Sequence, residues 1–342
     1  MDKKILIIRL GSLGDVILSS AAVTNLKIRY PDSRITFLCK DKFRDAVELI
    51  DGVDDIVGIA DGLSAIAYYK ILLDLDSKNF NVVLDLQGNL RSWLARKTIT
   101  ADETIVYPKR RFDRLLAVKR KVIPKVWPHT IDLYNDAVEQ AGAKAHCVRP
   151  VMSVPKVEFS EDVQRFVSGN ERFVIVAPGA AHPNKQWPIE RFVETAAMIH
   201  REEKVGIVWA VTSEDADKPS PKEDIAPESF LQLTDCPIPS LARLISLASV
   251  LIANDSGIAH LSSAVGTPVI ALFGPTHPAL GFAPKGLYDR VIEVDEPCRP
   301  CSLHGKKKCY RDERYCFERI SSRSVFEGAQ EILRVRYGQT PA

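Results

Sequence analysis

Asn254-Asp255-Ser256-Gly257-Ile258-Ala259-His260 is the segment of this sequence best suited to hold an anion. It follows the apolar run Val250–Ala253 and precedes a small-residue stretch ending near Gly266, the order of strand, tight turn and helix. Backbone amides of Ser256 and Gly257 at a helix N-terminus would seat a diphosphate. His260 lies one helical turn beyond Ser256, so both can face one ligand. The next apolar run, Val269–Phe273, ends in Gly274-Pro275-Thr276-His277-Pro278, a further loop on the same edge.

Three other loops carry unusual residues. In Val176–Pro188, the small residues Gly179, Ala180 and Ala181 leave room for a ligand, and Lys185 offers a point charge suited to phosphate. Arg9-Leu10-Gly11-Ser12-Leu13-Gly14-Asp15 has two glycines that permit a sharp turn, and it closes on a carboxylate. Asp15 suits a helix N-cap and equally a general base at a cleft, and this loop by itself leaves both readings open. Leu84–Ser92 offers Asp85, Gln87 and Asn89 to sugar hydroxyls and Arg91 to an acidic group, or simply ordinary capping with a solvated arginine.

Two clusters stand apart from these loops. Between 109 and 125 lie Lys109, Arg110, Arg111, Arg114, Lys119, Arg120, Lys121 and Lys125, opposed only by Asp113. So much positive charge attracts anionic headgroups or phosphorylated glycans. Near the end, Cys298-Arg299-Pro300-Cys301 is followed by Cys309 and Cys316. Four thiolates in so short a segment suit a structural zinc ion or an iron–sulfur cluster, with reduced thiols packed in a loop as the alternative. The remaining Cys39, Cys147 and Cys236 are scattered and read as small buried hydrophobes.

The elements that must position these groups alternate along the chain. Strand-like runs are Ile5–Leu10, Ile35–Cys39, Asp55–Ile59, Val82–Leu86 and Thr104–Tyr107, then Phe173–Ala177, Gly206–Val211, Leu231–Thr234, Val250–Ala253 and Val269–Phe273. Helical stretches between them include Asp15–Arg29, Leu63–Leu75, Leu90–Thr98, Ile189–Glu202 and Ile258–Val265. Such alternation implies parallel sheets, and two series imply two Rossmann-like domains. The expected division is 1–160 and 161–322, with a final helix in 323–342 that packs back on the first domain. Ligands of open parallel sheets bind beyond the carboxyl ends of strands, where all four loops fall.

The chain has 342 residues, 46% hydrophobic and 26% charged, with a net charge of +2. That is ordinary globular composition, and it excludes a polycation built for nucleic acid. The apolar run Ile5–Ile8 is too short for a signal sequence or membrane span, so the expectation is a soluble cytoplasmic protein touching membranes only peripherally.

Taken together in their order, Arg9–Asp15, Asp85-Leu86-Gln87-Gly88-Asn89, the Pro-Gly loop with Lys185 and Trp187-Pro188, and Asp255-Ser256-Gly257 with His260 resemble the bacterial heptosyltransferase family, glycosyltransferase family 9. The resemblance spans nearly the whole chain. It implies an α/β fold of the GT-B kind, two Rossmann-like domains facing a cleft, with acceptor on the first and donor on the second. It implies inverting, metal-independent transfer of heptose from ADP-heptose to a lipopolysaccharide core acceptor at the inner face of the inner membrane. Asp15 becomes the base. Lys185, Asp255, Ser256, Gly257 and His260, beside Ala180 and Ala181, become the donor site. Glu214 takes the place of a glutamate that binds the nucleoside, although Ala210-Val211-Thr212-Ser213 departs from the usual glycine-rich form. Ser12, Gly14, Gln87 and Arg91, with Arg110, Arg111, Arg114 and Arg120, fall on the acceptor side.

Three other readings compete: transfer of a different nucleotide sugar, a nucleotide-sugar-binding protein without activity, and a dehydrogenase. Asp15 and Lys185 speak against the second, and the lack of a GxGxxG fingerprint after either leading strand speaks against the third.

Overall fold

The computed structural model of the protein describes residues 3–123 and 127–338. Its chain divides into two compact units, one of residues 1–110 and 128–153, the other of residues 111–127 and 154–342.

The first unit holds β1 (Lys4–Ile8), β2 (Arg34–Lys40), β3 (Asp55–Ile59), β4 (Phe80–Asp85) and β5 (Ala101–Val106). All pair in parallel, in the order β3-β2-β1-β4-β5. Ile5, Leu6, Ile7 and Ile8 of the central strand are fully buried, as expected for a strand covered on both faces. Helices α1 (Leu13–Leu18), α2 (Ser20–Arg29), α3 (Arg44–Glu48), α4 (Ala65–Asp76) and α5 (Leu90–Thr98) fill the crossovers. The single helix expected from Asp15 to Arg29 is two, joined at Ser19. There the Ser19 and Ser20 hydroxyls donate to the carbonyls of Val16 and Ile17, each at 2.6 Å, competing with the helix's own ladder.

After β5 the chain forms α6 (Arg111–Arg120), which belongs to the second unit, and then α7 (Thr130–Gln140), which packs on α2 in the first. Asn25 and Asn135 anchor that return. Both donate to the Cys147 carbonyl at 3.0 Å, and Asn25 also donates to the Asn135 side-chain oxygen at 3.0 Å.

The second unit adds α8 (Glu161–Gly169), β6 (Phe173–Ala177), α9 (Ile189–Glu203), β7 (Gly206–Val211), β8 (Phe230–Thr234), α10 (Ile238–Leu247), β9 (Val250–Asn254), α11 (Gly257–Val265), β10 (Val269–Phe273), β11 (Arg290–Glu293), α12 (Tyr315–Glu318) and α13 (Ser322–Tyr337). Its six strands are also all parallel, in the order β11-β10-β9-β6-β7-β8. Each unit is thus an open parallel sheet of the Rossmann kind, the pair of sheets a GT-B enzyme carries.

One expectation is corrected here. The final helix was expected to pack back on the first domain. Instead Val325, Phe326, Ala329 and Ile332 of α13 are buried in the second unit's own core with Phe192 and Ile270. Gly328 faces Ile270 and Ile292, where an added Cβ would make ordinary contact. Helix α8 opens the second unit after the division at 153/154, with Val163 and Phe166 buried and Phe166 edge-on to Phe173. Among the described residues no helix is long and apolar enough to cross a membrane.

Candidate functional site

In the first unit the site is built at the carboxyl ends of β1 and β4. Gly11 follows β1 at φ +133°, a conformation open to glycine, and a Cβ there would collide with the Phe43 ring. Ser12, not Asp15, occupies the N-cap of α1. Asp15 sits at the third helical position and reaches back, its Oδ2 accepting from the Ser12 amide at 3.2 Å and the Ser12 hydroxyl at 2.8 Å. The same oxygen meets the Arg9 guanidinium at 2.5 Å. Oδ1 enters none of these contacts.

Arg9 is nearly buried, its side chain 5% exposed against 17% for Asp15. It also donates to the Leu86 carbonyl at 2.5 Å and lies 5.8 Å from the Tyr134 ring. Burial pushes the Asp15 carboxyl up, but the Arg9 charge and the Ser12 hydrogen bonds outweigh it and hold the group below its ordinary value. Asp15 is therefore ionised at neutral pH and fixed in place.

The loop after β4 closes onto the same spot. Gln87 Oε1 accepts from the Leu10 amide at 2.9 Å, locking this loop to the one after β1. Fully buried Asp85 accepts from the amides of Gln87 and Gly88 at 2.8 and 2.9 Å and pairs with Arg96 at 2.8 Å. Lys109 Nζ donates to the Gln87 carbonyl at 2.9 Å. Asn89 caps α5 through a reciprocal pair with Ser92, leaving Arg91 exposed in the first turn. Ser12, Gln87 and Asp15 are thus brought together, with Gly14 buried inside α1 beneath them.

In the second unit the site lies at the ends of β6, β9 and β10. Asn254, fully buried at the end of β9, accepts from the Trp187 amide at 2.9 Å and donates to the Pro178 carbonyl at 2.6 Å. It clasps the Lys185 loop against the Asp255 turn. Lys185 Nζ then lies 2.7 Å from Asp255 Oδ2, which also accepts from the Thr276 hydroxyl at 2.7 Å. Ser256 occupies the N-cap of α11 in extended backbone, and its hydroxyl is buried with no hydrogen-bond partner among the described residues. Gly257 opens the helix, and His260 is buried one turn on. A cation, a helix N-terminus and an unsatisfied hydroxyl converge on one point, which is a seat for an anion.

The comparisons agree with that geometry. The sequence profile described as glycosyltransferase family 9 (heptosyltransferase) matches residues 68–310. The chain belongs to this family. It is a glycosyltransferase. It is similar to the lipopolysaccharide core heptosyltransferase OpsX of Haemophilus influenzae, at 23% identity covering 86% of this chain and 85% of that one. It is also similar to lipopolysaccharide heptosyltransferase 1 of Pseudomonas aeruginosa, at 24% identity covering 96% and 98%. Among solved structures, a glycosyltransferase family 9 protein of Veillonella parvula has a TM-score of 0.76 at 22% identity, covering 97% of each chain. E. coli heptosyltransferase WaaC with ADP-2-deoxy-2-fluoro heptose has a TM-score of 0.67 at 17% identity, covering 96% of this chain and 99% of that one.

Within this family 9 chain, four expected site residues lie elsewhere than expected. Glu214 is exposed, in a short turn after β7, whereas its neighbour Asp215 points inward. Asp215 pairs with Lys218 at 2.6 Å and, with Pro178, Gln186, Trp187 and Arg314, lines a pocket of about 510 Å³. The short turn at Ser213–Asp215 sets which of the two adjacent acids lines the pocket, and sequence spacing does not carry it. Arg114 is buried, its guanidinium 4.6 Å from the centre of the Phe282 ring. Arg111, Arg114 and Arg120 belong to α6 and so to the second unit rather than the acceptor-side domain; Arg110 stays in the first, exposed. Lys125 lies outside the described residues. Ala180 is half-buried and Ala181 exposed at the loop's rim.

The four clustered cysteines do meet. Cys298, Cys301, Cys309 and Cys316 line one small pocket, all as free thiols. Burial, reinforced by the neighbouring thiols, pushes Cys316 up to about 11 and raises Cys301 as well. Among the described residues, however, no three His, Cys, Asp or Glu side chains converge as a metal ligand set. No step below involves a metal. The segment has a visible structural task. Arg314 donates to the carbonyls of Pro183 and Gln186, at 3.2 and 2.8 Å, and so braces the Lys185 loop.

Asp215 is a pocket-lining residue that spacing did not single out, whereas Arg9, Asn254 and Thr276 lay within the loops already picked out from the sequence.

Proposed function

We propose that the protein is an inverting transferase that moves heptose from ADP-heptose to a hydroxyl of a lipid-linked lipopolysaccharide core acceptor, at the inner face of the inner membrane. The observation that carries this reading is the anion seat of the second unit. Lys185 is held by Asp255 beside the α11 N-terminus, where the Ser256 hydroxyl has no hydrogen-bond partner among the described residues. The names of the relatives, heptosyltransferases of lipopolysaccharide, and the ADP-sugar bound by the WaaC neighbour support the choice of donor and acceptor.

The donor diphosphate takes the charge of Lys185 and the amides of Ser256 and Gly257, with His260 on the same helix face. The acceptor hydroxyl attacks the anomeric carbon on the side opposite the diphosphate, so the configuration inverts. A hydroxyl is a poor nucleophile until its proton leaves, and Asp15 Oδ1 takes that proton. Oδ2 is committed to Arg9 and Ser12, so the carboxylate is oriented without a substrate's help. As the glycosidic bond breaks, negative charge grows on ADP, and Lys185 and the helix terminus stabilise it most at that moment. Gln87 and Arg91 stand on the acceptor side, and Asp215 serves the nucleoside in place of Glu214.

Asp15→Asn tests the assignment. It should keep ADP-heptose binding, read by thermal shift, and lower turnover by about 10²–10⁴-fold. Near-normal turnover would remove Asp15 as the base. A parallel donor screen with UDP-, GDP- and other ADP-sugars decides the nucleotide and sugar, and stabilisation by NAD(H) alone would overturn the reading.

A further inference from the structure

Helix α6 turns the wrong face outward. At about 100° per residue, positions 112, 115, 116 and 119 share one side of a helix, and 114 and 117 share the opposite side. Phe112 is 87% exposed, and Leu115 and Leu116 are 43% and 44% exposed. The buried face instead carries Arg114, whose guanidinium lies over Phe282, and Ala117. Just past the helix Lys121 donates to the Tyr310 hydroxyl at 2.8 Å, a second tie to the same unit. An ordinary surface helix shows the reverse order, with apolar side chains inward and charge outward.

The exposed stripe is bracketed by charge. On the same wheel Arg111 and Arg120 fall at its two edges and Lys119 within it, all exposed. Asp113 is the helix's only acid and lies beyond the Arg120 edge. Scattered surface hydrophobics are normal, but three on adjoining turns between cations form a patch with a chemistry of its own. A protein partner needs roughly 800 Å² per side, with charge depleted at its centre. Three side chains interleaved with lysine and arginine supply neither. A bilayer surface asks for this combination, with apolar side chains entering the acyl boundary and cationic ends at the phosphates.

We infer that α6 docks the second unit on an anionic lipid bilayer. Phe112, Leu115 and Leu116 enter the headgroup–acyl boundary, and Arg111, Lys119 and Arg120 pair with lipid phosphates. The inference deepens the proposed function, because a lipid-linked acceptor lies in such a surface. It also narrows the reading of the basic run, which charge left open between anionic headgroups and phosphorylated glycans.

Full-length protein is sedimented with vesicles of phosphatidylcholine alone or mixed with phosphatidylglycerol. Binding is expected only to the mixed vesicles and should weaken as salt rises. Phe112→Ser/Leu116→Ser, with charge unchanged, should bind on the order of tenfold more weakly or worse. It should keep the wild-type melting temperature and its transfer onto a deacylated, water-soluble acceptor. Lys119→Glu/Arg120→Glu should lose the preference for anionic lipid. Equal sedimentation with both vesicle types, or unchanged binding by the Ser double variant, overturns the inference. So does a concentration-dependent dimer that the Ser variant abolishes, since a second copy would then cover the stripe. Wild-type transfer onto the soluble acceptor with no vesicle binding sinks this inference alone, whereas absence of that transfer sinks the proposed function.

Discussion

Replacing Arg9 by methionine isolates the device that keeps Asp15 ready. The change removes a guanidinium 5% exposed and leaves a carboxylate 17% exposed, held only by the Ser12 hydroxyl at 2.8 Å and the Ser12 amide at 3.2 Å. Removing one partner of a buried pair typically costs about 3–5 kcal/mol. The surviving Ser12 bonds and partial exposure put this case near about 3 kcal/mol, including the donor that the Leu86 carbonyl loses. At roughly 2–4 °C per kcal/mol, the first unit should melt roughly 6–12 °C lower near neutral pH. In the wild type the depressed carboxyl contributes stability that is present above its unfolded value and lost as pH falls through its lower folded value. In the variant, burial acts without Arg9 to oppose it, the carboxyl rises, and a proton relieves the unpaired charge. The melting gap should therefore be widest at neutral pH and narrow toward acid. The pH profile of kcat/KM should gain an acid limb shifted toward neutral, which Arg9→Lys largely prevents. Adding Asp15→Asn to Arg9→Met should recover part of the lost stability, since no charge is then stranded. An unmoved acid limb, together with a double variant no more stable than Arg9→Met, would falsify the argument.

Three further predictions concern the second unit. Lys185→Met should weaken ADP binding about 10–100-fold by calorimetry, the worth of a charge-assisted hydrogen bond to phosphate, and unchanged affinity would take Lys185 off the diphosphate. Asp215→Asn should weaken ADP binding while Glu214→Gln leaves it unchanged; the opposite result would restore Glu214 to the nucleoside. Trp187→Ala should cost about 3–5 kcal/mol in chemical denaturation of the second unit, because the indole is 1% exposed and donates to the Ile320 carbonyl at 3.2 Å. A loss below about 1 kcal/mol would mean that the loop packs without it.

The sequence by itself determined the strands and the loops that follow them. Apolar runs such as Phe173–Ala177 and Val269–Phe273 coincide with β6 and β10, because a strand buried on both faces has no polar positions to blur its ends. Ser256-Gly257 was legible as a helix N-terminus because cap residues announce themselves locally. β11 was not legible, being four half-buried residues with a charge at each end, an edge strand fixed by its pairing with β10. Tertiary structure alone decided which charges work and which are packed away. Arg9 and Arg114 look like any surface arginine in one dimension, yet each is buried because a partner from elsewhere in its unit covers it, Leu86 and Tyr134 for one and Phe282 for the other. Asp15 was readable as cap or base. The fold makes it the returning partner of the cap Ser12 and commits one oxygen to Arg9, leaving the other outside these contacts. Such choices depend on distances between residues far apart in the chain, and no local pattern records them.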